Sequence, residues 1–167
     1  TKAGAGTVKL SGTNTYDGGT TIGAGTLQIT ADASLGNVPG ATSAANITLS
    51  GGTLEADATG VALAANRGVT LTANGTLSAT TGNDMTVAGV VTGGFNLAKA
   101  GAGTVTLSGA NTYTGATTIN AGTLALGGAA PSGSAGTLGN TTSAVLLGDT
   151  TGSEATTKSH RPPPRLS

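Results

Sequence analysis

The sequence predicts an all-β, single-stranded parallel β-helix, a solenoid whose coils run about twenty residues, and three observations carry that prediction. Residues 2–29, KAGAGTVKLSGTNTYDGGTTIGAGTLQI, recur as residues 99–126, KAGAGTVTLSGANTYTGATTINAGTLAL, ninety-seven positions on (99 − 2) and identical at 21 of 28 places. Apolar residues fall at alternate positions in short bursts bounded by Gly, Asn and Thr, the mark of half-buried strands. The bursts are themselves periodic.

In chain order the bursts are Val8/Leu10, Leu27/Ile29, Ile47/Leu49, Leu54/Ala56, Val61/Leu63, Val69/Leu71, Leu77/Ala79, Met85/Val87, Phe95/Leu97, Val105/Leu107, Leu124/Leu126 and Val145/Leu147. One track, Val8, Leu27, Ile47 and Val69, steps by 19, 20 and 22 residues, and resumes at Met85, Val105, Leu124 and Val145 with 20, 19 and 21. A second, Leu35, Leu54, Leu77 and Phe95, steps by 19, 23 and 18. The short step of sixteen from Val69 to Met85 marks a tighter coil or a shifted register. Seven or eight such coils at ~4.8 Å per rung would make a rod of roughly 35 Å.

Punctuation favours a solenoid over a sandwich. The breaks are Gly-Ala-Gly, Ser-Gly, Asn-Thr-Tyr and Ala-Gly-Thr, corners for one continuous coil, whereas a sandwich calls for Asn-Gly hairpin turns and larger core residues. Gly takes positive φ without steric cost, and Asn14, Asn46, Asn111 and Asn140 are the next most tolerant type at such corners. Thr20-Thr21 and Thr117-Thr118 offer hydroxyls to stack between rungs.

Composition agrees with a thin, regular stack. Aromatic residues make up 2% and charged residues 8%, with thirty Gly among 167 residues, too little bulk for a thick core and too little charge for a disordered polyelectrolyte. Thr1 to Thr157 holds four basic and seven acidic side chains, a balance of −3, with no basic cluster to displace the counterions of a nucleic acid. There is no Cys, hence no disulfide or thiolate metal site, and no apolar run long enough for a membrane-spanning helix. The chain reads as part of something longer. Residues 1–157 form the expected repeat region, and the text changes at Lys158 to KSHRPPPRLS. Three consecutive Pro cannot continue a ladder, so residues 158–167 are expected to be disordered and foreign to the fold.

The duplicated text resembles the passenger-associated strand repeat of bacterial autotransporters, with its run Lys-x-Gly-x-Gly-Thr-Leu-x-Leu-Ser-Gly-x-Asn-Thr-Tyr-x-Gly-x-Thr-x-Ile-x-x-Gly-Thr-Leu. Lys99, Gly101, Gly103, Thr104, Leu107, Ser108, Gly109, Asn111, Thr112, Tyr113, Gly115, Thr117, Ile119, Gly122, Thr123 and Leu124 match it. Lys2 to Leu27 match equally well, with Val8 for Leu. Residues 66–101 are similar to the segment that usually precedes this repeat. The resemblance implies a right-handed β-helix within a large protein at the surface of a Gram-negative bacterium, exported through a C-terminal barrel and anchored in the outer membrane or secreted. The same repeat also occurs in large secreted proteins without a barrel, so the resemblance leaves the export route open.

Candidate chemistry is sparse. Glu55 and Asp57 share a strand face and could divide acid and base roles, with Arg67 the nearest Arg in sequence. Solvated carboxylates are the favoured reading, since no aromatic platform for a sugar accompanies them. Asn83-Asp84 lacks the glycine spacing of calcium-binding coils, and His160 has no second His or Cys. Gly4-Ala-Gly6 and Gly101-Ala-Gly103 lack the remainder of any phosphate-binding pattern. Asn46-Ile-Thr48, Asn74-Gly-Thr76 and Asn140-Thr-Thr142 fit a glycosylation acceptor that Thr-rich text produces by chance. Tyr16 and Tyr113 hold equivalent places, read as rings packed over a corner.

No catalytic, cofactor-binding or metal residue is therefore expected, and no cofactor. The expected role is a structural, non-enzymatic stalk or adhesin scaffold that also assists passenger folding during export. Its partners would be the flanking coils of the same chain and a host or neighbouring-cell surface protein or glycan, with no nucleic acid. A polysaccharide-cleaving β-helix enzyme and a carbohydrate-binding module are the alternatives.

Overall fold

A computed structural model describes residues 1–130, 135–139, 145–147 and 156–159. The strands are β1 (Thr7–Leu10), β2 (Thr20–Ile22), β3 (Thr26–Ile29), β4 (Ser43–Leu49), β5 (Thr53–Ala56), β6 (Val61–Leu63), β7 (Arg67–Leu71) and β8 (Gly75–Ala79). There follow β9 (Asp84–Val87), β10 (Val91–Gly93), β11 (Leu97–Ala100), β12 (Thr104–Leu107), β13 (Thr117–Ile119), β14 (Thr123–Leu126), β15 (Val145–Leu147) and β16 (Thr156–Ser159). Among the described residues one 3-10 turn, Asp32–Leu35, interrupts them.

Successive strands do not pair with one another. Each pairs with strands about one coil away, in parallel, so the chain winds through three faces. The first face holds β2, β4, β7 and β10, the second holds β1, β3, β5, β8, β11, β13 and β15, and the third holds β6, β9, β12, β14 and β16. This is the expected parallel β-helix. Along the second face the register advances from Thr7 to Thr26, Thr53, Thr76, Ala98 and Thr118, steps of 19, 27, 23, 22 and 20 residues. The step of 27 contains the 3-10 turn.

The inward side chains stack in register because the pleat sends alternate residues to one side. On the second face Val8, Leu27, Leu54, Leu77, Lys99 and Ile119 form one column. The third face contributes Val61, Met85, Val105 and Leu124, and the first Ile47, Val69 and Val91. Most are fully buried, and each buried Leu, Ile or Val stabilises by about 1.5–3 kcal/mol. Outward, Thr21, Thr48, Thr70 and Thr92 align on the first face and Thr7, Thr26, Thr53 and Thr76 on the second. Hydroxyls do bond between rungs, as in Thr112 to Thr92 at 3.0 Å.

Several expectations need correction. The first track mixes faces: Val8 and Leu27 lie on the second, Ile47 and Val69 on the first, Met85 on the third. The step of sixteen is thus a move between faces rather than a tighter coil. Among the described residues the longest sheet has seven strands and six intervals, or roughly 29 Å at ~4.8 Å each. Phe95 is not a core residue but 43% exposed, and the inward pair of β11 is Leu97 and Lys99. Thr20 and Thr117 face the interior instead of stacking outside. Among the described residues no Asn has positive φ; the corner Asn residues act through their side chains. Lys158 and Ser159, at the expected boundary, pair with Ala125 and Leu126 as the end of β16, and residues 160–167, the rest of the expected tail, lie outside the described residues.

The two copies of the duplicated unit occupy different faces. Lys2 bridges Ile22 of the first face, whereas Lys99 pairs with Ile119 on the second. Likewise β1 lies on the second face and its counterpart β12 on the third. Ninety-seven residues are not a whole number of coils, so the second copy sits one face further round.

Candidate functional site

Glu55 and Asp57 do share the outer side of the second face, but side chains from other rungs engage all four of their oxygens. Glu55 Oε1 accepts from Gln28 Nε2 and Glu55 Oε2 from Ser78 Oγ, each at 2.7 Å. Asp57 Oδ2 accepts from Lys9 Nζ at 2.6 Å and Oδ1 from Thr80 Oγ1 at 3.0 Å. The Lys9 and Thr80 bonds hold the Asp57 carboxyl below the usual carboxylate range. A general acid needs the opposite shift. In the polar column Lys9, Gln28, Glu55 and Ser78, Glu55 therefore bonds the rung on either side of it, while Lys9 reaches across two rungs to Asp57.

Arg67 lies in β7 on the first face and turns to other partners. It is fully buried, with Nε on Asp32 Oδ1 at 2.7 Å, Nη1 on Asn46 Oδ1 at 2.6 Å and on the Leu35 carbonyl at 3.0 Å, and Nη2 on the Gly36 carbonyl at 3.0 Å. Asn46, one of the glycosylation candidates, is thereby buried and engaged. Asn74 Oδ1 accepts the Asn96 amide at 3.1 Å, and Asn140 and His160 lie outside the described residues. Asp84 accepts the Gly60 amide at 2.9 Å, and Asn83 donates to Thr80 Oγ1 at 2.7 Å. Among the described residues no three His, Cys, Asp or Glu side chains stand together to hold a metal ion.

The side chains that the duplicated text does bring together are interior ones. Lys99 is 2% exposed, and its Nζ donates to the carbonyls of Ala100 and Gly101 at 2.7 Å and of Ala121 at 3.0 Å. Lys2 repeats this with Ala3 at 3.3 Å, Gly4 at 2.7 Å and Ala24 at 2.9 Å. Burial pulls the Lys99 ammonium down to about 8. Gly101 and Gly122, at φ 72° and 68°, form the two corners of the cage. A Cβ on Gly122 would lie 2.4 Å from the Gly101 carbonyl oxygen, so the close approach requires glycine.

Tyr113 is also interior rather than a cover. It is fully buried, with its hydroxyl 2.7 Å from Thr117 Oγ1, and burial pushes its phenol up. The equivalent Tyr16 lies 3.0 Å from Thr20 Oγ1 yet is 40% exposed, beside an open cleft of about 370 Å³ lined by Lys2, Val8, Leu10 and Leu27. In the second copy the preceding coil fills that space, and the Tyr113 amide bonds the Val91 carbonyl at 3.3 Å. Asn111 joins three coils, with Oδ1 accepting the Val91 amide at 2.7 Å and Nδ2 donating to the Thr137 carbonyl at 2.9 Å. Asn14 does the same toward the Ser34 carbonyl at 2.8 Å. The structural duplication thus runs past the obvious text, to Ser34-Leu35-Gly36 and Thr137-Leu138-Gly139. Sequence reading missed these interior roles because it counted Lys, Arg, Thr and Asn as solvent-facing. The signal was Lys99 two places after Leu97 on the same side of a strand.

Residues 1–29 and 97–126 match the family model described as passenger-associated-transport-repeat. The chain is 40% identical over 129 residues, 77% of its length, to the adhesin BmaC autotransporter of Brucella suis biovar 1 (strain 1330). It spans about 4% of that relative's length. No solved structure matches. Among the described residues no helix is long and apolar enough to cross a membrane, a statement that leaves β-barrels aside.

Proposed function

We propose that this chain, which belongs to the autotransporter passenger-repeat proteins, is a non-catalytic rod segment that holds the active parts of its passenger away from the cell. Passengers of this kind are exported and displayed at the surface of Gram-negative cells, in an adhesin-type role. The observation that supports a rod is the unbroken parallel sheet of seven strands, because stability in such a stack is nearly additive along the axis. Outward carboxylates tied into ladder bonds support the absence of catalysis. Each finished coil also presents a strand edge on which the next can pair, so the segment assists folding of the following passenger during export. Its partners are the flanking coils and a protein or glycan on another cell surface.

Inserting or deleting one whole coil, for example the twenty residues from Ala98 to Thr117, since Ala98 stands in register with Thr118, in the parent protein tests the rod. Reach from the cell surface should change while the activity of flanking parts persists; a loss of those activities with unchanged reach overturns the reading. For the enzyme alternative, the parent should show no polyuronate cleavage that Glu55→Gln removes.

A further inference from the structure

Lys99 occupies a column whose neighbours in register are Leu77 and Ile119, so packing alone calls for an aliphatic residue. Burying an ammonium there is costly, and among the described residues the two ion pairs are Lys9 with Asp57 and Arg67 with Asp32, neither of which includes it. The arrangement nevertheless occurs twice. Lys2 and Lys99 each bond the carbonyls one, two and twenty-two positions on, although they stand on different faces with different strands below and above. The cage therefore follows the local sequence, not the place in the rod.

What the cage adds is discrimination between registers. The second-face strands read TVKL, TLQI, TLEA, GTLSA, LAKA and TTI, so a slip by two residues keeps every side chain on its side and exchanges one small aliphatic for another. Such strands specify register weakly. A two-residue slip of β11 against β13 displaces Lys99 from the Ala121 carbonyl by roughly 6.6 Å, leaving a buried ammonium without its cross-coil acceptor. We propose that Lys99, and Lys2 in the earlier copy, are register pins, positioning residues that fix how each coil seats on the next, as a single buried polar residue does in a coiled coil. Arg67 staples the intervening corner to Asp32, Leu35 and Gly36 in the same manner.

The chain contains no Cys, so disulfide trapping in this chain reads register on a clean background. Ala98→Cys with Thr118→Cys reports the native pairing, and Ala100→Cys with Thr118→Cys the slipped one. With Lys99 present, the native pair should close far faster in a glutathione buffer. Adding Lys99→Met should raise closure of the slipped pair relative to the native pair by roughly tenfold, as expected for loss of a charge-assisted bond, while the β-rich circular dichroism spectrum persists. An unchanged closure ratio overturns the proposal. So does an unfolded Lys99→Met chain, because the lysine would then hold the fold together rather than choose its register.

Discussion

Arg67 reaches back thirty-five residues to Asp32, Nε to Oδ1 at 2.7 Å, and its side chain is 1% exposed where that of Asp32 is 18% exposed. The guanidinium simultaneously serves Asn46 and two corner carbonyls, so it joins the 3-10 turn to the coil that follows. Arg67→Ala strips donors from four acceptors, three of them in buried bonds, and should cost about 3–5 kcal/mol in urea unfolding, in the range for breaking a buried pair. Asp32→Asn keeps a neutral acceptor and should cost less.

Lys99 makes stability depend on alkaline pH. Its ammonium titrates near 10.5 in the unfolded chain and at about 8 in the fold, so between those values the unfolded state binds more protons and stability rises with pH. The gain, up to about 3 kcal/mol, is complete above the unfolded value and lost as pH falls through the folded one. Denaturant unfolding at pH values across that window should show the rise in the parent chain and a flat profile in Lys99→Met. Tyr113, with its raised phenol, opposes the trend only above its unfolded value of about 10.

Asp57 acts at the other end of the scale. Its carboxyl is held below 3.8 by Lys9 and Thr80, so the stabilisation is present above 3.8 and disappears as pH falls through the lowered value. In Lys9→Ala the Asp57 titration followed by NMR should move back toward 3.8. Because the pair is exposed, added salt should produce part of the same shift.

The two tyrosines provide an internal comparison. Tyr113→Phe leaves the buried Thr117 hydroxyl short of its 2.7 Å partner and should cost about 1–2 kcal/mol. Tyr16→Phe at the 40% exposed site should cost well under 1 kcal/mol, since water replaces the bond. Equal losses by urea unfolding would mean that the coil below Tyr113 contributes nothing to its environment.

The alternating bursts made most of the strands legible, because one buried face imposes period two. Strands β2 and β13 were not, since Thr20 and Thr117 take interior places that an apolar count skips. The inward lysines and Arg67 escaped for the same reason: a charge reads as surface until a cage of carbonyls is visible. Glu55 and Asp57 were identifiable as a pair, but their partners are 23 to 48 residues away. Those contacts depend on coil lengths of 19 to 27 residues along the second face, and the irregular coil through the 3-10 turn cannot be read from spacing.

The offset of the two copies by one face gives the rod the character of a spiral stair. The two copies do not gather their surface chemistry along one side; the second turns its Thr and Gly corners toward the face next to that of the first.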